Sequence, residues 1–358
     1  MLLAPRDANR LQETAIAVSN SHRDITVIGG SAGAIAPLKA LLAALPADYP
    51  AAVFIVIHTA ADAPPMAHHV FARASTLPVV MATAGMAIRP GQVAIAPPDA
   101  HLVLRGNVVQ LSYGPRENRH RPSIDVLFRS AAVAYGPRVT GVVLSGMMDD
   151  GAAGLWAIQT RGGATVVQHP EDAEYAHMPA SALERLDPRY CVPMNAMPQA
   201  LVALAREPVG TGWVADSRTL ELEVAMAADN QSEMAQLDAM GPRAPYSCPQ
   251  CGGALWQVGE PAPRFRCHVG HAYSPTTLAT EQAERIEAAL WAGLRGLEER
   301  ERLARQLADA AAQRGDGRAA SYHHEAGLAS ASHAEALRGL LAANARMNRS
   351  RAWGHEPQ

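Results

Sequence analysis

The sequence predicts an α/β fold: a doubly wound, mostly parallel sheet with helices on both faces, then a small cysteine-bearing module and a C-terminal helical hairpin. Three observations predict it. Short apolar runs alternate with helical patterns from residue 23 to 206, three of the four cysteines fall between 248 and 267, and the chain after Pro275 is rich in Ala, Leu, Glu and Arg. Strands alternating with helices of ordinary length imply a parallel sheet covered on both sides.

The elements follow in order. A leader over 1–22 carries scattered charges and precedes DITVIGG, a buried strand. APLKALLAAL has helical spacing, AAVFIVIH is a second strand, and PMAHHVFARAS is helical again. QVAIAPP and HLVLRGNVVQLS read as strands, the second turning at Gly106-Asn107. IDVLFRSAAVAYG is a helix, VTGVVLSG a strand, GAAGLWAIQTRGG a helix closed by glycines, and ATVVQH a further strand. Residues 207–245 lack a clear period and read as a linker before the cysteine module at 246–275. Leu278, Ile286, Leu290, Leu294 and Leu297 then recur on one helix face. RGDGR (314–318) interrupts the pattern, and Leu337, Leu340, Leu341 and Met347 carry a second helix, so 276–348 forms a hairpin.

Composition narrows the function. A chain of 358 residues suits two or three domains. The formal net charge of −3 argues against a general nucleic-acid binder, which needs a basic surplus. No run approaches the roughly 20 apolar residues of a membrane helix, and the first 22 residues lack a secretory signal pattern, so a cytoplasmic protein without membrane insertion is expected.

The first strand runs into Gly29-Gly30-Ser31-Ala32-Gly33, a G-x-S-x-G between strand and helix. Glycines there permit a tight turn that lifts a serine hydroxyl above the sheet edge, and following backbone N–H groups can hold an oxyanion. A phosphate-binding turn is the alternative, although Ser31 stands where a dinucleotide fingerprint needs its second glycine. His58 ends the second strand, and Asp150 opens the helix after VTGVVLSG. Either could be a plain strand end or helix cap. All three nonetheless fall at carboxyl ends of parallel strands, where open α/β sheets bind ligands. A serine hydroxyl needs a base, and the base needs a carboxylate to fix its tautomer.

The segments VIGGSAG, GQVAIAPPDAHL, GPRENRHRPSIDVLF and LSGMMDDGAAGL, with the strand ending in His58, resemble the catalytic domain of chemotactic protein-glutamate methylesterases of the CheB type. The resemblance covers 24–206 and implies a serine hydrolase acting on glutamate methyl esters, and on glutamine, of a methyl-accepting chemoreceptor-like partner. It places the nucleophile on Ser31, the base on His58, the acid on Asp150 and backbone oxyanion donors on Ala32 and Met147, with no catalytic cofactor. Arg116, Arg119 and Arg121 are candidates to orient an acidic receptor helix, or else form a solvated or internally paired loop. The chain departs from the family at Ala32, usually Thr, at Ala34 and Met148, both usually Gly, and at His177-Met178-Pro179, usually Gly-Met-Pro. Family members commonly carry a receiver domain ahead of the catalytic one. With 23 residues before Asp24, either constitutive activity or a different mode of control is expected. The alternative function is a catalytically weakened adaptor that binds receptor helices; a small-molecule esterase fits the NRHRPS segment poorly.

Cys248-Pro-Gln-Cys251-Gly-Gly, followed by Cys267-His268-Val-Gly-His271, has the spacing of a zinc-ribbon-like site. His271 is preferred to His268 as fourth ligand, because adjacent Cys267 and His268 would strain to reach one ion. Four protein ligands leave no open position, so the zinc is expected to be structural and separable from catalysis. The C-terminal helices suit a stabilising cap, self-association or a coiled-coil partner.

Overall fold

The structure, a computed structural model, describes residues 22–210, 217–229, 233–259 and 263–353. The leader expected over 1–22 lies outside them except for His22. The chain forms two compact units divided between Thr277 and Leu278.

The first unit is built on β1 (Ile25–Gly30), α1 (Ile35–Ala44), β2 (Ala52–Ile57), α2 (Ala67–Ala72), β3 (Val79–Met81) and β4 (Val93–Ile95). A hairpin follows, β5 (His101–Arg105) and β6 (Val108–Ser112), then α3 (Ile124–Tyr135) and β7 (Val139–Val143). The domain continues through α4 (Ala152–Thr160), β8 (Ala164–Gln168), α5 (His177–Arg185), β9 (Tyr190–Val192) and α6 (Met197–Arg206). Seven strands pair in the order β3-β4-β2-β1-β7-β8-β9, every pair parallel. β5 and β6 stand apart as a two-stranded antiparallel sheet.

The central strands β1, β2 and β7 are buried along their whole length, as a sheet covered on both faces requires. Alternation distributes their side chains between two cores. Ala52, Phe54 and Val56 meet Leu127 and Phe128 of α3 and Leu155 of α4. Val53, Ile55 and Ile57 meet Leu38 and Leu42 of α1 and Leu201 of α6. The chain leaves β1 towards β2 and returns to its other side at β7, so the reversal of strand order falls beside β1. Open sheets splay their loops apart at such a point and form a crevice.

The stretch expected as a linker carries two helices, α7 (Arg218–Asp229) and α8 (Met234–Met240). Their apolar side chains are buried on tertiary partners: Ala227 and Ala228 on Val103 and Val126, Leu237 and Met240 on Trp256. Val103, Val126 and Trp256 lie outside 207–245, so that run by itself does not mark either helix. The cysteine module is a four-stranded antiparallel sheet of β10 (Arg243–Ser247), β11 (Ala254–Val258), β12 (Arg264–Cys267) and β13 (Ala272–Tyr273).

That module joins the α/β domain through buried charge. Glu117, in the loop before α3, meets Arg129 of α3 and Arg266 of β12, and all three are buried. Glu223 of α7 pairs with Arg264. Burial favours the neutral acid, but the two guanidiniums outweigh it and hold the Glu117 carboxyl down at about 2. α9 (Pro275–Gln313), whose first residues belong to the first unit, and α10 (Gly317–Trp353) form the expected helical pair, with Leu294 packed on Ala334 and Leu341, and Glu298 paired with Arg338.

Glu117→Gln should take from two buried arginines the carboxylate they hold in common, leaving Arg129 with Asp125 and Arg266 with Glu223, each at 3.9 Å. Loss of one partner from a buried ion network costs about 3 kcal/mol or more. Urea unfolding should therefore show a lower midpoint at unchanged slope.

Candidate active site

Three strand ends deliver three side chains to the crevice. Ser31 follows β1, His58 follows β2, and Asp150 stands in the loop from β7 to α4. The His58 amide donates to Gly30 O at 3.2 Å, continuing the strand pairing far enough to bring the imidazole beside the serine. Ser31 Oγ lies 3.2 Å from His58 Nδ1, and His58 Nε2 lies 2.9 Å from Asp150 Oδ2. The His58 and Asp150 side chains are 5% and 2% exposed, so this pair lies out of bulk water. Asp150, and not its neighbour Asp149, touches the imidazole. Asp149 instead accepts from Ser274 Oγ at 2.9 Å.

The turn around Ser31 is held by Ser145. Its carbonyl accepts the Ser31 N–H at 3.0 Å, and its hydroxyl donates to Ala32 O at 2.9 Å. Gly33 takes a φ of +74°, the left-handed turn that the G-x-S-x-G pattern predicts. Gly146 permits the close approach of two loops: a Cβ there would stand 2.0 Å from Met178 Sδ and 2.9 Å from Ser31 Cβ. Among the described residues, no backbone acceptor pairs with the N–H of Ala32 or Met147, the two expected oxyanion donors.

Asp150 exchanges water for a dense set of protein donors. Its Oδ1 accepts from Asn118 Nδ2 and Ser123 Oγ, both at 2.9 Å, and its Oδ2 accepts from the Ile124 N–H at 2.7 Å as well as from His58. Ile124 opens α3, so the carboxylate sits on the positive end of that helix. Burial by itself raises a carboxyl pKa, but the bond and charge of His58, with His120 and Asn118, outweigh it and hold Asp150 well below the usual range. Asp125 is pushed the other way, by burial and by the Asp150 charge.

Sequence reasoning assigned no role to several of these residues. His120 stacks face to face on His58, with ring centroids 3.5 Å apart and planes 7° from parallel. Burial and then the neighbouring His58 bring its pKa down to about 4. His101 accepts the Ser123 N–H on Nδ1 at 3.2 Å and donates from Nε2 to Pro115 O at 3.0 Å, bracing the start of α3. A serine before a helix and a run dense in polar groups (NRHRPS) were available signals, but nothing in one dimension says which of them points inward. Of the three candidate arginines, Arg116 is exposed and Arg119 half-buried. Arg121 is committed to its own loop, donating to Asp99 Oδ1 and to the carbonyls of Tyr113 and Gly114.

Cys248, Cys251, Cys267 and His271 present ligand atoms within 4.8 Å of one another. The Cys251–Cys267 sulfurs are 3.7 Å apart, and His271 Nδ1 is 3.7 and 3.5 Å from Cys248 and Cys267. A tetrahedron of thiolates about 2.3 Å from one zinc has edges of about 3.7 Å, so the quartet fits a metal of that size. His268 is exposed and outside the quartet.

The fold and the hydroxyl–imidazole–carboxylate series define a class of α/β hydrolytic domain, and comparison with known proteins gives the family. The CheB methylesterase family model matches residues 26–201. A putative protein-glutamate methylesterase/protein-glutamine glutaminase of Leptospira interrogans is 36% identical over 179 residues, covering 50% of this chain and 93% of that protein. Protein-glutamate methylesterase/protein-glutamine glutaminase 2 of Anaeromyxobacter dehalogenans is 39% identical over 183 residues, and there the match spans 54% of the relative. The crystal structure of the Thermotoga maritima CheB methylesterase catalytic domain matches at 30% identity and a TM-score of 0.50, covering 52% of this chain and all of that one. This chain belongs to the CheB methylesterase family. Among the described residues no helix is long and apolar enough to cross a membrane.

Met148, at the position usually glycine in the family, has a φ of +64°. A side chain there is strained by about 1 kcal/mol, so Met148→Gly should raise stability by that order in chemical denaturation. The His120 pKa is lower folded than unfolded, so the unfolded chain takes up a proton that the folded chain refuses. Stability should then fall as pH drops from about 6.5 to 4, and His120→Gln should make that fall shallower by up to about one proton.

Proposed function

We propose that this chain is a protein-glutamate methylesterase, with glutaminase activity on the same side chain position, acting on the helices of a chemoreceptor-like protein. The observation that carries this reading is the hydrogen-bonded series Ser31–His58–Asp150 in a chain of the CheB family.

In this mechanism Ser31 Oγ attacks the γ-ester carbonyl carbon while its proton passes to His58 Nδ1. The carbonyl electrons move onto oxygen, where the Ala32 and Met147 N–H groups receive the charge. Collapse breaks the carbon–methoxy bond, and His58 returns the proton to release methanol. Water then attacks the acyl-serine carbon, again giving its proton to His58. Ser31 leaves with that proton, freeing a glutamate carboxylate. A glutamine amide in the same position releases ammonia. Asp150 remains ionised throughout, holding the ring through Nε2 and stabilising the imidazolium. The low Asp150 pKa suits that role. Arg116 and Arg119 stand near enough in sequence to His120 to meet an acidic receptor helix at the mouth of the site.

We assign zinc to the cysteine–histidine quartet, with all four positions filled by protein and no open site for substrate. The soft thiolate-rich donor set and the spacing of the ligand atoms support this assignment.

Methanol release from a methylated receptor fragment tests the function. Ser31→Ala and His58→Ala should each lower kcat/KM by roughly 10³-fold or more, and the double variant should be little worse, because the two act as a unit. Asp150→Asn should lose roughly 10²-fold or more, for want of the carboxylate that stabilises the imidazolium. Asp149→Asn should cost far less. A folded wild-type protein that binds receptor without releasing methanol or ammonia would refute the reading and leave an adaptor.

A further inference from the structure

The cysteine module does more than sit beside the site. Residues 267–271 form a tight turn, with the Gly270 N–H on Cys267 O at 2.9 Å and the Cys267 N–H on His271 O at 3.0 Å. The chain then passes from ligand His271 straight into β13 and Ser274. Ala272 O accepts the Asn118 N–H at 2.8 Å, and the Ser274 N–H donates to Asn118 Oδ1 at 2.9 Å. On its other side the Asn118 amide donates from Nδ2 to Asp125 Oδ2 and to Asp150 Oδ1, both at 2.9 Å. Arg266 ties the same turn to the same loop, donating to Gly270 O at 3.0 Å and to Glu117, the residue before Asn118.

The orientation of that amide is set chiefly by Ser274, with Thr277 Oγ1 a longer second donor to the same oxygen at 3.4 Å. With its oxygen satisfied by the Ser274 N–H, Asn118 must turn its NH₂ towards the two buried carboxylates. Reversed, it would aim a carbonyl oxygen at both. β13 has two residues, too few to hold this position by strand pairing alone. Trp256 and Val258 of β11 pack on Leu237 and Met240 of α8, whereas in the 267–274 segment the buried apolar side chains are those of Ala272 and Tyr273, and the Tyr273 hydroxyl lies 3.2 Å from the ligand sulfur of Cys248. In a site of this kind metal-binding energy is folding energy, and here it organises the turn that leads to Ser274.

We propose that zinc in the Cys248–Cys251–Cys267–His271 quartet positions the esterase site, by holding Ser274 against Asn118 and thereby fixing the carboxylate that serves His58. This rests on the esterase reading above. It replaces the expectation of a separable module: metal and triad are joined through one asparagine. Asn118 and Ser274 are positioning residues, which act on the hydroxyl and the imidazole only through Asp150.

The test uses the full-length chain, zinc-loaded and then stripped with a chelator, with metal content measured directly. Stripping should lower kcat by roughly 10²-fold, the scale of a small misplacement of catalytic groups, with KM unchanged and the helix content of the α/β domain retained. Labelling of Ser31 by a fluorophosphonate should slow in parallel, and the downfield proton resonance of His58 Nε2–H should shift. Zinc chloride should restore all three. Cys251→Ser should reproduce the stripped state. Asn118→Ala should show the low kcat while still holding zinc, and stripping it should cost nothing further. Unchanged kcat and labelling after zinc loss would overturn the proposal. So would failure of the chain to bind zinc, zinc dependence that persists in Asn118→Ala, or unfolding of the whole chain on stripping. If the zinc-loaded wild type neither releases methanol nor accepts the label, the esterase reading is what fails. The His58 resonance then still decides the coupling: a shift on stripping supports it, and an unmoved signal refutes it.

Discussion

Two buried carboxylates, each seated on the start of the other's helix, are the constraint around which this site is built. Asp150 stands just before α4 yet accepts the N–H groups that open α3, from Ile124 at 2.7 Å and Asp125 at 3.3 Å. Asp125 stands in the first turn of α3 yet accepts those of Gly151 at 3.0 Å and Gly154 at 2.6 Å around the start of α4. Each helix leaves N–H groups unpaired at its start, and its dipole favours a negative charge there. The crossing exchange satisfies both ends. It also offsets the repulsion and desolvation that two acids in one dry site would otherwise suffer.

From this exchange the position of Asp150 and His58 follows. Asp150 cannot swing away from α3 without exposing buried donors, so His58 finds it in one place. The loop before α3 winds through left-handed backbone at Asn118 and Arg119, with φ of 49° and 74°. That winding sends the Asn118 amide to the carboxylates while His120 lies flat on His58. Family resemblance flagged the run as a unit, and the structure divides it into parts: Asn118 and Ser123 on Asp150, His120 on His58, and Arg121 on its own loop.

The regular elements were legible because their signals are local. β1, β2 and β7 are dominated by apolar and small residues, α9 carries a spaced leucine face, and α10 shows one over Leu337 to Met347. β3 and β9, three residues each at the sheet edges, and α8, of seven residues, are too short to show a pattern. Residues 207–245 read as a linker because Ala227, Ala228 and Leu237 acquire their partners from distant segments. The cysteine module read as independent for the same reason. Nothing near Arg264, Arg266 or Ser274 in the chain announces that their partners are Glu223, Glu117 and Asn118.

Composition, alternation and motif spacing were enough for the α/β class, the strand-end placement of Ser31, His58 and Asp150, and the grouping of three cysteines with a histidine. These depend on the chemistry of a residue and its near neighbours, which a linear pattern records. The stacking of His120, the exchange of caps between α3 and α4, and the attachment of the module to Asn118 arose with the fold. They depend on which buried polar groups meet across segments as far as 156 residues apart, and on the need to pair each of them once water is gone.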